Sequence, residues 1–295
     1  MVISNIVGGL GNQMFQFACG RAVSLQSRQP MKIAVDCMTN YGLHNGFELH
    51  SVFNCHAPLA SRGDLRKLIG WRSPPLIRRA VSRLRLEPNL RSGWCAEPHF
   101  QYWPGIMGIT GTTRGTYLHG YWQSEKYFAD VAATIRSDFN FRMPWDAEDT
   151  AVRDRMQSQP SASVHIRRGD YVTGKNQRVY ASCSLDYYLA AIKHIKACVP
   201  HVKFYFFSDD PDWVRNHFGA ISEGLEVVDH NHGARSAHDM RLMALADHHV
   251  IANSSFSWWA AWLNPSTSKM VIAPKQWFLN GTVDSDLIPA SWTRL

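Results

Sequence analysis

Short apolar segments alternate with helical segments through the second half of the chain, and this alternation limits the fold more than any other feature. The predicted strands cover residues 161–167, 202–208, 225–228, 249–252 and 270–272. The predicted helices cover residues 185–198, 211–218, 238–246 and 255–263. A strand–helix alternation of this kind specifies a parallel sheet with helices packed on its faces. We therefore predict that this half forms a doubly wound α/β domain.

The first half begins with a strand at residues 2–7, a glycine-rich turn at 8–13 and a helix that ends near Leu25. A second strand ends at Asp36, and another starts at Tyr117. The region between them reads as irregular, with short helices. Helices to about residue 139 and at 147–157 lead to the Gln159-Pro160 pair. A chain of 295 residues favours two domains, and we place them at 1–159 and 160–295.

The composition is that of a soluble globular protein, with 45% hydrophobic and 19% charged residues. No apolar run reaches the roughly 18 residues that a transmembrane helix requires, and the first residues do not read as a signal peptide. The six cysteines show neither a C-x-x-C pair nor a regular spacing. Reduced thiols and a cytoplasmic location are therefore expected.

The chain has a net charge of +7, and its basic residues are concentrated at positions 62–91. This segment holds nine Lys or Arg residues and two acidic ones. Apolar residues are interleaved with them, which predicts short basic amphipathic helices broken at Pro74-Pro75. Such a segment is a solvated helical face or a surface that contacts anionic lipid headgroups. The second alternative would place the protein peripherally at the inner face of the cytoplasmic membrane. Nucleic acid is a weaker alternative, because no nucleic-acid-binding motif accompanies the segment.

The strand at 161–167 runs directly into Arg167, Arg168, Gly169 and Asp170. Ligands of open α/β sheets bind beyond the carboxyl ends of the strands. Side chains alternate along a strand, so one arginine can face a ligand while the other supports the loop. The planar guanidinium fork fits a diphosphate. The alternative is a structural Arg–Asp pair that holds the loop.

Two further strand ends in this half carry polar side chains. One ends in Ser208, Asp209 and Asp210. The other passes through Asn253 into a serine-rich helix start. Its serines are Ser254, Ser255 and Ser257. Hydroxyls beside the unpaired N–H groups of a helix N-terminus make an anion site, whereas ordinary capping explains only one serine.

The N-terminal half offers candidates for a sugar pocket. The glycine-rich turn includes Gly9, and its Asn12 and Gln13 can position a sugar although neither can act as a base. Tyr121 and Gln123 suit a sugar, because rings stack on pyranose faces and amides bond to hydroxyls, although core packing is the alternative for the aromatic residues here. His119 and Glu125 are the ionisable candidates for a general base.

Metal binding is not predicted. Asp210 and Asp212 form a D-x-D string, and five histidines fall between residues 230 and 249, but no zinc-type spacing frames them. We therefore expect no metal requirement and no bound cofactor, with arginine supplying the positive charge.

Four motifs in this order resemble the bacterial α-1,2-fucosyltransferases, which form glycosyltransferase family 11. They are GGLGNQMFQ at 8–16, HIRRGD at 165–170, FSDD at 207–210 and NSSFSWWAAW at 253–262. The segment GYWQSEKYF at 120–128 is also similar to that family. The likeness covers the chain except for the basic segment near 62–91.

The resemblance implies a GT-B fold, in which two Rossmann-like domains, each with a parallel sheet, face each other across a cleft. It implies GDP-β-L-fucose as the donor and inversion at the fucose anomeric carbon. The acceptor would be the 2-hydroxyl of a terminal β-galactose on a glycan, such as a free or lipid-linked O-antigen.

The resemblance also implies residue roles. Arg167 would contact the diphosphate while Arg168 and Asp170 support the loop, Asp239 would read guanine, and Ser254 and Ser255 would touch the β-phosphate. The predicted donor-binding set is His165, Arg167, Arg168, Asp170, Ser208, Asp209, Asp239, Asn253, Ser254, Ser255 and Ser257. The predicted fucose and acceptor set is Gly9, Asn12, Gln13, Tyr121 and Gln123, and the catalytic candidates are Arg167, His119 and Glu125.

Three alternatives remain open at this point. The enzyme could form another fucosyl linkage. A glycan-binding module without catalysis would use the aromatic pocket, but it has no need for arginine and serine at adjacent strand ends. A nucleic-acid-binding protein would use the basic segment.

Overall fold

The computed structural model describes residues 1–38, 45–83, 93–109, 115–169, 182–219 and 225–295. Within these residues the chain forms two compact units. The first contains Met1–Arg142 and Asp284–Leu287, and the second contains Met143–Val283 and Ile288–Leu295. Each unit is built on its own parallel sheet, which confirms the predicted α/β fold class.

The sheet of the first unit has four strands in the order β2-β1-β4-β3. They are β1 (Val2–Asn5), β2 (Met31–Ala34), β3 (Trp94–Ala96) and β4 (Thr116–His119). Every pairing is parallel. The carboxyl ends of all four strands therefore lie along one edge, where the loops after β1, β3 and β4 meet.

The helices of the first unit are α1 (Leu10–Ser27), α2 (Leu49–Val52), α3 (Arg62–Ile69), α4 (Pro75–Arg83) and α5 (Ala132–Asp138). A capping box of Ser61 and Asp64 starts α3. Helix α4 starts at Pro75, and proline is favourable there because the N–H group it lacks would have no hydrogen-bond partner within the helix. The prediction of two short helices broken at this point is confirmed as far as residue 83; residues 84–92 lie outside the described part of the chain.

The sheet of the second unit has six parallel strands in the order β10-β9-β8-β5-β6-β7. They are β5 (Ser161–Ile166), β6 (Lys203–Ser208), β7 (Leu225–Val228), β8 (His248–Val250), β9 (Val271–Ala273) and β10 (Thr293–Arg294). The central strand, β5, is buried along its whole length, as expected for a strand covered on both faces.

The helices of the second unit are α6 (Ala147–Gln157), α7 (Leu185–Cys198), α8 (Pro211–Phe218), α9 (Ser236–Met243) and α10 (Ser255–Leu263). Val164 of β5 and Phe206 of β6 pack with Tyr188 and Phe218 from α7 and α8 in one apolar core. Aligned parallel strands thus bring the ends of β5, β6 and β8 to the same edge.

Several predicted element ends are displaced by one to three residues, such as those of helix α9, at Ser236–Met243 instead of 238–246. Two larger predictions differ from the structure. The predicted helix to residue 139 is instead two 3₁₀ turns followed by α5, because the backbone leaves the helical region at Phe128 (φ −139°) and Val131 (φ −120°). The division between units falls at residue 142 rather than 159. Helix α6 belongs to the second unit because it packs on α9 and its Asp149 bonds to residues there.

The short stretch Asp284–Leu287 belongs to the first unit although its neighbours on both sides belong to the second. Asp286 forms an ion pair with Lys126 and accepts a hydrogen bond from the backbone N–H of Tyr102 at 3.1 Å. These two contacts attach the stretch to the loops around β4.

No helix among the described residues is both long and apolar enough to cross a membrane. All six cysteines fall in described ranges and none forms a disulfide. Four of them, Cys19, Cys37, Cys55 and Cys95, are buried.

Candidate active site

In the second unit, Asp209 organises the loop that follows β5. Its carboxylate accepts the backbone N–H groups of Arg168 at 2.8 Å and Gly169 at 3.2 Å. The same carboxylate pairs with Arg167, with 2.8 Å between Nη1 and Oδ2. A Cβ at position 169 would stand 2.9 Å from Asp209 Oδ2, so glycine permits the close approach. The residue at the end of β6 therefore fixes the guanidinium at the end of β5.

Arg168 and Arg167 have different partners. The Nε of Arg168 lies 3.1 Å from Asp210 Oδ2, and its guanidinium lies over the ring of Trp213, 4.3 Å from the centroid. Asp210 also caps α8 by accepting the N–H of Trp213, and its own N–H is donated to Ser208 Oγ at 3.0 Å. These contacts hold Arg168 against α8 in a supporting position. The two arginines are exposed to a similar extent, 30% for Arg167 and 25% for Arg168, so their partners and not their exposure distinguish them. Asp170 lies outside the described residues.

His165 occupies β5 two residues before Arg167. Burial and the charge of Arg167 lower the pKa of this histidine to about 3, so its imidazole is neutral at pH 7. Its Nδ1 is buried without a hydrogen-bond partner, and its ring lies 5.8 Å from that of Phe256.

The serines at the start of α10 have different roles. Ser254 caps the helix by accepting the N–H of Phe256 at 3.3 Å. Ser257 is buried and donates its hydroxyl to the carbonyl oxygen of Ser254. Asn253 is buried and donates to the carbonyl oxygen of Trp277 at 3.1 Å. Ser255 is partly exposed at the first helical position, which leaves the start of this helix as the candidate anion site.

Asp239 lies in the first turn of α9 and is bridged to a second carboxylate, Asp149. The amide of Asn231 donates to Asp239 at 3.0 Å and to Asp149 at 2.9 Å. Loss of solvation, helped by the nearby charge of Asp149, raises the pKa of Asp239 to about 8. Neither Asp149 nor Asn231 is among the predicted site residues: Asp149 lies inside a predicted helix, and Asn231 comes three residues after the predicted strand 225–228.

Four of the five histidines between residues 230 and 249 have hydrogen-bond partners in the protein. His230 and His238 both bond to Asp149, which is fully buried. His249 is buried between Ser163, at 2.9 Å, and Asn264, at 3.0 Å. Asp146, Asp149 and His238 present ligand-type atoms within 4.8 Å of one another. Hydrogen bonds already occupy both oxygens of Asp149, and Arg235 pairs with Asp146.

In the first unit, two predicted loops lie side by side. The amide of Gln123 donates to Asn12 Oδ1 at 2.6 Å, and Gln16 donates to the carbonyl oxygen of Gly120 at 3.2 Å. These bonds connect the glycine-rich turn with the loop after β4. Gly8 adopts φ +85°, which a residue with a side chain would rarely adopt.

The predicted sugar-contacting residues differ in exposure. Gln13 is fully buried, and its amide bonds to the carbonyl oxygens of Gly8 and Gly46 and to the N–H of Glu48. It therefore holds the turn in place. Tyr121 is 45% exposed and lies two residues before Gln123, whose amide bonds to Asn12. Gly9, another predicted sugar-contacting residue, is the residue that immediately precedes α1.

The ionisable groups of this loop include one that the sequence analysis missed. Glu97 follows β3 directly, and its carboxylate accepts the N–H groups of Tyr121 at 2.7 Å and Trp122 at 2.9 Å. Burial raises its pKa to about 7. His119 stacks on Trp94, and burial and the charge of Arg78 lower the pKa of His119 to about 4. Glu125 is partly exposed in the 3₁₀ turn that follows.

The two units and their edges define an α/β protein of the GT-B class. A solved structure of NodZ α-1,6-fucosyltransferase from Bradyrhizobium matches with a TM-score of 0.51, over 90% of this chain and 92% of that one. Its sequence identity is 16%, so this match shows the fold.

The family is shown by sequence. The model of glycosyl transferase family 11 matches residues 97–287. An α-1,2-colitosyltransferase of Escherichia coli is 33% identical over 100% of this chain and 99% of its own length. The O-antigen biosynthesis glycosyltransferase WbnK of Escherichia coli is 28% identical, with 99% of each chain covered. The chain belongs to glycosyl transferase family 11.

Proposed function

We propose that this enzyme transfers L-fucose from GDP-β-L-fucose to the 2-hydroxyl of a terminal β-galactose, with inversion, during synthesis of an O-antigen or a similar surface glycan. The observation that carries the proposal is the Arg167–Asp209 pair at the carboxyl edge of the second sheet, because transfer requires a fixed cation where the leaving diphosphate gains charge. Two relatives support the proposal by their names: the α-1,2-colitosyltransferase supports the linkage, and the O-antigen biosynthesis glycosyltransferase supports the class of acceptor.

In the proposed reaction the bond between fucose and the β-phosphate stretches first. Negative charge builds on GDP, where Arg167 and the start of α10 stabilise it, while Asp239 holds guanine. The galactose hydroxyl attacks from the opposite face of the sugar as this bond breaks. Asn12, Tyr121 and Gln123 would hold the acceptor at the edge of the first sheet.

A colitosyl donor is the second candidate, favoured by the 33% identity to the colitosyltransferase over the full chain. Colitose lacks one ring hydroxyl of fucose, so both sugars can fit a similar pocket. The test incubates the enzyme with GDP-fucose or GDP-colitose and a panel of β-galactosides, and the product linkage is assigned by NMR. An α-1,2-fucosyl product supports the proposal, whereas transfer of colitose alone, or a different linkage, contradicts it.

Activity is expected to be unaffected by excess EDTA. Arg167 carries a permanent positive charge at the proposed diphosphate site, and the ligand atoms of Asp149 bond to His230, Asn231 and His238. Initial rates before and after chelation check this expectation. A large loss of rate that Mn²⁺ or Mg²⁺ restores would contradict it.

We also propose peripheral contact with anionic lipid at the inner face of the cytoplasmic membrane, where a lipid-linked acceptor would be available. Trp71 and Leu76, which flank the start of α4, are 67% and 77% exposed. Exposed basic side chains surround them in sequence, namely Arg62, Arg66, Lys67 and Arg79. Arg78 of the same segment is fully buried against Asp36 and Tyr117, so it does not contribute to this surface.

Liposome co-sedimentation is expected to pellet the enzyme with anionic vesicles and much less with neutral ones. Each basic residue near the surface contributes on the order of 1 kcal/mol, which salt reduces. Leu76→Ser should weaken pelleting, whereas the matched control Leu279→Ser, at a 48% exposed leucine outside the segment, should not. Equal pelleting with both lipids would overturn the proposal.

A further inference from the structure

Glu97 lies at the point where β3 and the loop after β4 meet. Ala96 of β3 pairs with His119 of β4, and Glu97 N–H donates to the carbonyl oxygen of His119 at 2.8 Å. One carboxylate oxygen accepts from Tyr121 and the other from Trp122. The side chain is thus fixed at the backbone of Tyr121, a 45% exposed residue that the proposed function assigns to the acceptor.

The turn that carries these amides is built closely around the carboxylate. A Cβ at Gly120 would stand 2.4 Å from the Cβ of Glu97, so only glycine admits this approach. Trp122, fully buried, adopts φ +56°, a conformation that bulky residues rarely adopt. Such local strain is frequent at functional sites.

Glu97 retains the capacity to accept a proton. Each carboxylate oxygen has two lone pairs, and the backbone bonds use one on each oxygen. The side chain is partly exposed. The other ionisable groups whose charges it influences are Cys19 of α1, Cys95 of β3 and Tyr127. All three have raised pKa values, so they are neutral at pH 7 and place no opposing charge beside it.

The other candidates fit a base less well. His119 has a pKa near 4, so its neutral imidazole is a weak base, and its Nδ1 is buried without a partner. Glu125 lies in the 3₁₀ turn after β4, near the guanidinium of Arg136. A general base works best when its pKa is near the working pH, and Glu97 has a pKa of about 7.

We propose that Glu97 is the general base that accepts the proton of the attacking acceptor hydroxyl. The inference rests on the proposed function. In this step the acceptor oxygen forms its bond to the sugar anomeric carbon while the bond from that carbon to the β-phosphate oxygen breaks. The electron pair of the broken bond leaves with GDP, and the acceptor proton moves to the carboxylate of Glu97.

The first test is Glu97→Gln, with kcat and KM measured across pH against wild type. The wild-type rate should fall below a pH near 7, where Glu97 takes up a proton. The variant should lose roughly 10²-fold or more in kcat, and this acid limb should disappear. GDP binding and slow hydrolysis of the donor in the absence of acceptor should be unchanged, because both depend on the second unit.

A structural role for Glu97 predicts a different result. Glutamine keeps one acceptor oxygen, so the Tyr121–Trp122 turn would loosen, and kcat would fall while the acid limb persisted with its original midpoint. Glu97→Asp serves as the second variant, since it keeps a titrating group and should restore the acid limb. Asp130→Asn, at an exposed carboxylate of the first unit, controls for loss of a surface charge.

The outcomes separate this inference from the proposed function. A wild-type enzyme that transfers no sugar from any donor to any acceptor would overturn the proposed function and this inference together. An active wild type, with an acid limb that remains in Glu97→Gln, would overturn the role of Glu97 alone.

Discussion

Replacing Arg167 by lysine is expected to reduce kcat almost as severely as replacing it by alanine, by roughly 10²–10³-fold at saturating donor. Lysine keeps the charge but loses the planar pair of donors that can hold two diphosphate oxygens at once. Charge accumulates on those oxygens as the sugar bond breaks, so the loss should fall mainly on kcat.

The ion pair with Asp209 sharpens this test. Lysine can still pair with Asp209, so a purely structural Arg167 predicts a lysine variant whose melting temperature and kcat lie between those of wild type and alanine. Arg215→Lys is the matched control, because Arg215 of α8 also pairs with carboxylates, Asp212 and Asp229, but is 47% exposed. Near-wild-type kcat in Arg167→Lys would remove this residue from the mechanism.

Replacing Asp239 by asparagine is expected to weaken GDP binding by about 1.5–3 kcal/mol, the range of a hydrogen bond to a charged group. One carboxylate can accept both the N1–H and the N2 amine of guanine, whereas asparagine turns one acceptor into a donor. Calorimetric titration with GDP checks this, with Asp212→Asn, at an 87% exposed carboxylate, as the control. Unchanged affinity would exclude Asp239 from the nucleotide site.

The raised pKa of Asp239 gives the same variant a second readout. Guanine donors favour the ionised carboxylate, so GDP binding should release a proton and strengthen as pH rises toward 8. In wild type this dependence should be visible between about pH 6 and pH 8, and it should be absent in Asp239→Asn. Titrations in buffers of different ionisation enthalpy measure the proton release directly.

Stability should respond with the opposite sign. The folded protein holds the Asp239 proton more tightly than the unfolded chain, so the stabilisation is complete below the ordinary pKa of 3.8 and is lost as pH rises to about 8. Asparagine does not titrate, so the Asp239→Asn variant does not lose this stabilisation as the pH rises. Its melting temperature should therefore exceed that of wild type at pH 8 and approach it in acid.

Most of the second unit follows its sequence closely because the local signals agree there, although helix α9 lies at Ser236–Met243 instead of the predicted 238–246. Helices at 147–157, 185–198, 211–218 and 255–263 have the predicted bounds. Three of the four start at a cap that the sequence shows, Asp146, Ser184 or Ser254, and the fourth starts with Asp210 before a proline. Strands β5 and β6 between them are buried on both faces, which is typical of a parallel sheet covered by helices on each side.

The candidate site could be predicted only in part, since strand ends show which polar residues share an edge but not which ones bond to each other. Arg167 and Asp209 were placed at one edge, but their pairing depends on the loop after β5. The sequence predicts Ser257 as an anion ligand, whereas in the structure its hydroxyl donates to the carbonyl oxygen of Ser254 in the same helix. Such bonding depends on side-chain direction, which sequence spacing alone does not fix.

Glu97 was missed for a different reason. Strand β3 has three residues, Trp94–Ala96, too few to show a period, and it lies in a stretch rich in glycine and proline. These residues form a strand because they pair with Tyr117–His119 of β4, which are distant in sequence. The apolar run before Glu97 was the available signal, since the first polar residue after such a run often lies at a sheet edge.

The short stretch Asp284–Leu287 has a practical consequence for hybrid enzymes. A chimera that takes residues 1–142 from a relative by a single junction would combine one parent's Lys126 and Tyr102 with the other parent's residue at position 286. The exchange should therefore transplant two segments, 1–142 and 284–287, so that Asp286 and its partners come from the same parent.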